Sequence, residues 1–271
     1  MNIATKKLVI FDLDGTLAPS KSPIEDEMGQ LLIKLLGFVK VAIISGGGYP
    51  QFQTQLLGRL PHGLAYYTNL LLLPASGTSL YTWKGDWHQN YSEEIPIEDR
   101  KRIISTLARA MQGFVNEEKS YGPIIEDRLS QITFSGMGQS APLSKKIVWD
   151  SDHKKRQKIV EIIAPKLPEY DCRIGGTSSI DITHKGVNKA YGIRKLEQYL
   201  DLDASQILFV GDALFHGGND FPARATGVDC ISVKNPTETQ QLITEWVTNL
   251  LPHEPTTGTS AVEPSKAAVL A

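Results

Sequence analysis

The chain has 271 residues, 28 Lys plus Arg against 30 Asp plus Glu for a formal charge of −2, 41% hydrophobic residues and 21% charged ones. That length suits one large or two modest domains, and the composition excludes wholesale disorder, collagen-like repeats and a disulfide-dense miniature scaffold. Near-neutral charge gives no reason to expect a nucleic acid or a membrane as partner, so an anionic substrate has to be held by local groups. The two cysteines, Cys172 and Cys230, have no C-x-x-C spacing, which removes a thiolate metal cluster and a disulfide framework from consideration. Acidic residues follow the first short apolar stretch too closely for a signal peptide, and no run approaches the roughly 18 apolar residues that span a bilayer, so a cytoplasmic location is expected.

Leu8-Val9-Ile10-Phe11 is continuously apolar and runs into Asp12-Leu13-Asp14-Gly15, which reads as a strand buried on both faces that ends in a polar loop. Apolar spacing predicts a helix from about Ile24 to Leu36, and Val41-Ala42-Ile43-Ile44 before Ser45-Gly46-Gly47-Gly48 repeats the strand-into-turn pattern. Strand, helix and strand make a βαβ unit. Leu70 to Pro74 is read simply as core, and Thr82 to His88 as a hairpin turning at Gly85-Asp86. The pattern then changes to helices at about Ile97 to Gln112 and Lys154 to Leu167, with alternating strands at Ser130 to Ser135 and Ser179 to Thr183. After Gly186 come a helix from Lys189 to Tyr199, the buried strand Ile207 to Val210 ending in Gly211-Asp212, and a helix from about Glu238 to Leu250. The expected fold class is therefore α/β, a Rossmann-like doubly wound parallel sheet interrupted by an α+β cap domain. Residues 1–84 and 186–251 are assigned to the discontinuous core, 85–185 to the cap, and 252–271, rich in Pro, Thr, Ser and Ala, to a disordered tail.

Asp12 and Asp14 follow one buried strand and Asp212 ends another, and doubly wound sheets bind ligands at the carboxyl ends of their strands. Carboxylates gathered there repel one another unless a hard cation neutralises them, and oxygen donors without thiolate suit magnesium. Thr16, Ser45, the glycines from Gly46 and Lys189 at a helix start supply donors for phosphate oxygens.

Asp12-Leu13-Asp14-Gly15-Thr16-Leu17 resembles the first signature of the haloacid dehalogenase (HAD) superfamily. Ser45, Lys189 and the acidic pair Gly211-Asp212 and Asn219-Asp220 match its other three signatures in order. Two longer segments are similar to the eukaryotic-type phosphomannomutases, a branch with an inserted cap (type IIB). They are Gly211-Asp-Ala-Leu-Phe-His-Gly-Gly-Asn-Asp220 against G-D-x-x-x-x-G-G-N-D, and Ile174-Gly-Gly-Thr-Ser-Ser-Ile-Asp181 against the cap strand I-G-G-x-x-S-F-D. Arg128, before an alternating strand and Ser135-Gly-Met-Gly138, resembles R-N-G-M-L-N-V-S-P-I-G-R. The pattern departs at three positions: Gln139 and Lys146 stand where the branch has cap arginines, and Lys21 replaces the arginine after the first signature.

The resemblance implies Asp12 as nucleophile forming an aspartyl-phosphate and Asp14 as general acid and base. It implies magnesium on Asp12, Asp212 and the backbone carbonyl of Asp14, with Asn219 and Asp220 in its outer or inner shell, and phosphate on Ser45, Gly46 and Lys189. The cap residues Arg128, Ser179 and Asp181 would hold a small phosphorylated substrate, expected to be a hexose phosphate, and a homodimer through the cap is left open. A mutase must retain a bisphosphorylated sugar while it turns, a task that arginine forks serve better than lysine or glutamine. The thinned grip leads to the expectation of a magnesium-dependent phosphatase. Phosphomannomutase activity and a non-catalytic sugar-phosphate binding protein stand as alternatives, and His216 is left without a role.

Overall fold

The computed structural model describes residues 3–61 and 65–250. The first apolar run is strand β1 (Leu8–Asp12), buried along its whole length. Helix α1 (Asp26–Leu36) turns Met28, Leu31, Leu32, Leu35 and Leu36 inward, a stripe at helical period. It delivers the chain to β2 (Lys40–Ile44), parallel to β1 with Asp12 opposite Ile44. Helix α2 (Tyr49–Gln55) follows the glycine turn, then β3 (Leu70–Leu73) and the antiparallel pair β4 (Ser79–Trp83) and β5 (Trp87–Ser92).

The inserted unit is α3 (Ile97–Ala110), β6 (Ile125–Asp127), β7 (Gln131–Ser135), α4 (Leu143–Trp149), α5 (Lys154–Ile163), β8 (Tyr170–Gly175) and β9 (Ser179–His184). Its four strands form an antiparallel sheet in the order β6-β7-β9-β8. Ile132, Phe134, Ile180 and Ile182 join Ile103, Leu107, Ile159 and Ile163 of α3 and α5 in one apolar cluster, which leaves the alternate residues of β7 and β9 on the opposite, polar face. The core resumes with α6 (Lys189–Leu200), β10 (Ile207–Gly211), β11 (Asp229–Ser232) and α7 (Pro236–Leu250).

The seven core strands run β11-β10-β1-β2-β3-β4-β5, parallel as far as β3. Apolar clusters cover both faces, one using Ile243, Trp246 and Val247 of α7 with α1, the other Ile193 and Leu196 of α6. The chain leaves β1 toward β2 and later returns on the other side through β10, so β1 is the switch point at which a cleft opens between strand ends. The ends of β1, β2 and β10 therefore meet.

Three sequence expectations need correction. The boundary at 84/85 falls in the hairpin turn, and β5 pairs with β4 as the seventh core strand, so the cap begins after Ser92. Leu70 to Leu73, read as core, is indeed buried, as a parallel strand. The segment Ile174 to Asp181, matched to one cap strand, is a hairpin: the end of β8, a turn at residues 176–178 and the start of β9. The helix predicted to Leu167 stops at Ile163, where Pro165 cannot continue it and a single 3-10 turn follows. The tail assigned to 252–271 lies outside the described residues. Among the described residues no helix is long and apolar enough to cross a membrane.

Candidate active site

Asp12 is the last residue of β1 and is 2% exposed. Carboxylate oxygens of Asp12, Asp212 and Asp220 lie within 4.8 Å of one another. Thr16 ties the first signature to the fourth: its hydroxyl accepts from the Asp212 amide at 3.0 Å and donates to Asp212 Oδ1 at 3.3 Å. Gly15 makes this approach feasible, since with φ +89° it takes a conformation that L side chains avoid, and a Cβ there would sit 2.5 Å from Asp212 Oδ2.

Lys189, the first residue of α6, is also 2% exposed. Its ammonium donates to Asp12 Oδ1 and, at 2.9 Å, to the Ile44 carbonyl, and lies 3.7 Å from Asp220 Oδ1. The Asn188 side chain caps the helix by accepting from the Tyr191 amide, which fixes where Lys189 leaves the backbone. Burial, opposed by Lys189 and reinforced by Asp220, pushes Asp12 up to about 8. Burial and Asp220 also raise Asp212. Burial alone would lower Lys189, yet Asp12 and Asp220 hold it above its ordinary value. Three carboxylates thus share one ammonium, and Asp12 Oδ2 and Asp220 Oδ1 are buried without a hydrogen-bond partner. Orphaned carboxylate oxygens in an all-oxygen cluster fit a hard divalent cation.

The structure sorts the expected residues. Asp220 joins the cluster fully buried, and its Oδ2 accepts from the Ala213 amide at 3.0 Å, holding the loop between them folded back. Asn219 is exposed beside it. The Asp14 side chain turns from the cluster to accept from Gln51 Nε2 at 2.8 Å and from the Lys21 amide at 2.5 Å. That leaves its backbone carbonyl as the only route to a metal. Ser45, 3% exposed, accepts from the Gly47 amide at 3.1 Å. His216 is exposed and packs its ring 5.5 Å from Phe221, so nothing draws it into the site.

The cap's polar face lies against this cleft. Arg128 Nη1 and Gln131 Nε2 each donate to the Gly46 carbonyl at 3.0 Å, while Arg128 Nε and Nη2 grip Glu126 Oε2 at 2.9 and 2.6 Å. Asp181 Oδ1 accepts from Gln131 Nε2 at 2.9 Å and Thr133 Oγ1 at 2.8 Å, with burial, against Arg128 and Thr133, raising its pKa. Ser179 sits two residues along the same strand, opposite Ser135. Lys146, 3% exposed on α4, donates to the Gln139 carbonyl at 2.8 Å. Burial and the neighbouring Lys21 ammonium pull it down to about 8. Two of the three positions where arginine was expected therefore bring two cations together. Gln51, Gln55, Gln131 and Thr133 are the site residues that sequence reading missed. Glutamines at i and i+4 in Pro50-Gln-Phe-Gln-Thr-Gln55 were the available signal.

A buried aspartate at the switch point, an acidic cluster beside it and an inserted cap are the features of an enzyme of the HAD superfamily. The sequence profile of eukaryotic phosphomannomutase matches residues 28–249, and the chain belongs to that family. It is 28% identical over 232 residues to a probable phosphomannomutase of Caenorhabditis elegans, covering 80% of this chain and 85% of that protein. It is 27% identical over 253 residues to the phosphomannomutase of Saccharomyces cerevisiae, covering 88% and 93%. In fold it resembles the N-terminally truncated IMP-nucleotidase of Plasmodium falciparum, with a TM-score of 0.66 at 19% identity over 91% of this chain and 71% of that one. The phosphatase expected from the sequence is overturned by these relatives, which are named for the mutase. It rested on lysine and glutamine standing where the branch has arginine forks, a difference in grip that does not itself decide which oxygen receives the phosphoryl group.

Proposed function

We propose that this chain is a phosphomannomutase, interconverting hexose 1- and 6-phosphates through an aspartyl-phosphate on Asp12. The observation that carries this reading is the buried Asp12 carboxylate at the switch point, paired with Lys189 on the floor of a cleft roofed by Arg128. Asp12 attacks the phosphorus in line, the bond from phosphorus to the sugar oxygen breaks, and Asp14 gives that oxygen a proton. That first step draws on hexose bisphosphate and leaves a hexose monophosphate. The free hydroxyl of hexose 1-phosphate then gives its proton to Asp14 as its oxygen attacks the phosphoryl group on Asp12, and the bisphosphate so formed reorients, returns its other phosphoryl group to Asp12 and leaves as hexose 6-phosphate. Lys189 and Ser45 bind the equatorial oxygens, while Lys21, Arg128 and Lys146 hold the distal phosphate. Asp12, Asp212, Asp220 and the Asp14 carbonyl are the groups that would hold magnesium, which supplies charge neutralisation as the phosphoryl group moves.

The test is to supply mannose 1-phosphate, magnesium and a catalytic amount of hexose bisphosphate. Mannose 6-phosphate should form much faster than free phosphate, and the reverse partition would overturn the proposal. A homodimer through the cap is favoured by Leu143, Ile147 and Val148 of α4, which are 45%, 49% and 72% exposed.

A further inference from the structure

The Asp14 carboxylate is held by a helix that no signature marks. Gln51 Nε2 donates to Asp14 Oδ2 at 2.8 Å and also to Gln55 Oε1 at 2.5 Å. Gln55, 3% exposed, donates to the Ser22 carbonyl at 2.9 Å and reaches toward Asp14 Oδ1 at 3.4 Å, where the Lys21 amide already donates at 2.5 Å. Both glutamines stand on α2, four residues apart and so on one face. The Gln51 amide lies flat against the glycine turn, where a Cβ on Gly47 would come within 1.8 Å of Gln51 Oε1. The carboxylate is thus fixed from both oxygens by neutral donors, none of them on its own loop except the Lys21 amide.

We propose that Gln51, braced by Gln55, is a positioning residue that aims the Asp14 carboxylate for proton transfer to and from the sugar oxygen. This rests on the reading of Asp14 as general acid and base. A proton donor must lie within hydrogen-bond reach of the leaving oxygen, and a misplacement of about 1 Å can cost on the order of 10²-fold in rate. Gln51 is partly exposed on a short helix, which lets its amide be removed without opening the core. Neutral donors orient the group without adding a cation beside the magnesium ligands.

The experiment compares Gln51→Leu with Asp14→Asn on two substrates. Mannose 1-phosphate has a leaving alkoxide that needs a proton, whereas p-nitrophenyl phosphate releases a stable phenolate, so phosphorylation of Asp12 reads as a burst of p-nitrophenolate without an acid. Gln51→Leu should lower kcat for the mutase reaction by on the order of 10²-fold with KM little changed, and leave the burst rate within a few fold of the unsubstituted protein. Gly47→Ala, which pushes the amide aside while keeping it, should show the same selectivity in milder form. If Asp14→Asn shows that leaving-group dependence while Gln51→Leu behaves as the parent, the inference fails and the reading of Asp14 stands. Equal loss on both substrates by Gln51→Leu makes its role structural and overturns the inference. If Asp14→Asn loses both activities alike, the acid–base reading falls and the inference with it.

Discussion

The floor and the roof of the cleft gather their polar groups with opposite geometry. On the floor, functional groups stand at the ends of parallel strands, so the register that sets Asp12 opposite Ile44 and Phe11 opposite Val210 also brings Asp212 near, and the capped start of α6 adds Lys189. On the roof they stand on the flat polar face of an antiparallel sheet, and cross-strand pairing sets Thr133 beside Asp181 and Ser135 beside Ser179. The floor concentrates carboxylates and needs added positive charge, while Arg128 and Lys146 of the roof, with Lys21 of the core loop beside Lys146, gather positive charge and need an anion. Floor groups are locked by buried backbone; roof groups depend on a separate cluster of α3, α5 and β8 that can fail without the floor failing.

The sharpest way to break this comparison is Asp12→Asn. An amide neither attacks phosphorus nor binds a hard cation well, so mutase turnover should fall by at least about 10⁴-fold, while the cap should bind hexose phosphate as before. The same substitution should shrink the rise in Tm that magnesium gives the parent protein. A variant that keeps its turnover, followed as mannose 6-phosphate formed, would show that the floor is not where chemistry occurs.

A smaller effect should separate the two units. Arg156 is fully buried in the cap, and its guanidinium donates to Asp150 Oδ2 at 2.8 Å and to the Gly175 and Gly176 carbonyls at 3.1 and 3.0 Å. It therefore fastens the turn that leads into Ser179 and Asp181. Burial alone would raise Asp150, but hydrogen bonds from Arg156 and from the amides of Lys155 and Arg156 hold it below its ordinary value. Arg156→Met leaves that carboxylate buried and unpaired, and should cost the cap about 3–5 kcal/mol. Amide exchange should quicken in β7, β8 and β9 while β1, β2 and β10 stay protected; uniform acceleration would mean that the two units unfold together.

The same contrast explains what could be read from the sequence. Asp12, Asp14, Asp212 and Lys189 were legible because each sits within two residues of a buried strand end or a helix start, where a change from apolar to polar text marks the spot. On β7 and β9, alternation identifies the face but makes Gln131 and Thr133 look like any solvated position. Helix α2 has seven residues, a proline in its first turn and only Phe52 as a fully buried apolar side chain, so no stripe announced it and its glutamines went unread. Asp220 looked peripheral because the fold-back of its loop onto the Ala213 amide is not a property of local spacing. The misplaced cap boundary has a similar cause, since β5 is a half-exposed edge strand whose text resembles the cap's own.

The smallest effect bears on the roof's charge. Lys146 is drawn down to about 8 by burial and by Lys21, so its ammonium is intact at pH 7 and largely lost by pH 9. A phosphate monoester, with its second pKa near 6, is a dianion across that whole interval. KM for mannose 1-phosphate should therefore rise as pH passes 8, by up to about tenfold at pH 9 if binding needs the charged lysine. Stability moves the other way. Between about 8 and the unfolded value of 10.5 the folded chain has released the Lys146 proton and the unfolded chain retains it, so this group makes the protein more stable as pH rises. Lys146→Arg keeps its charge throughout and should flatten both trends, holding KM near its pH 7 value at pH 9 and removing that rise in Tm. An unchanged KM profile in Lys146→Arg would take Lys146 out of the phosphate grip and leave Arg128 and Lys21 as its cations.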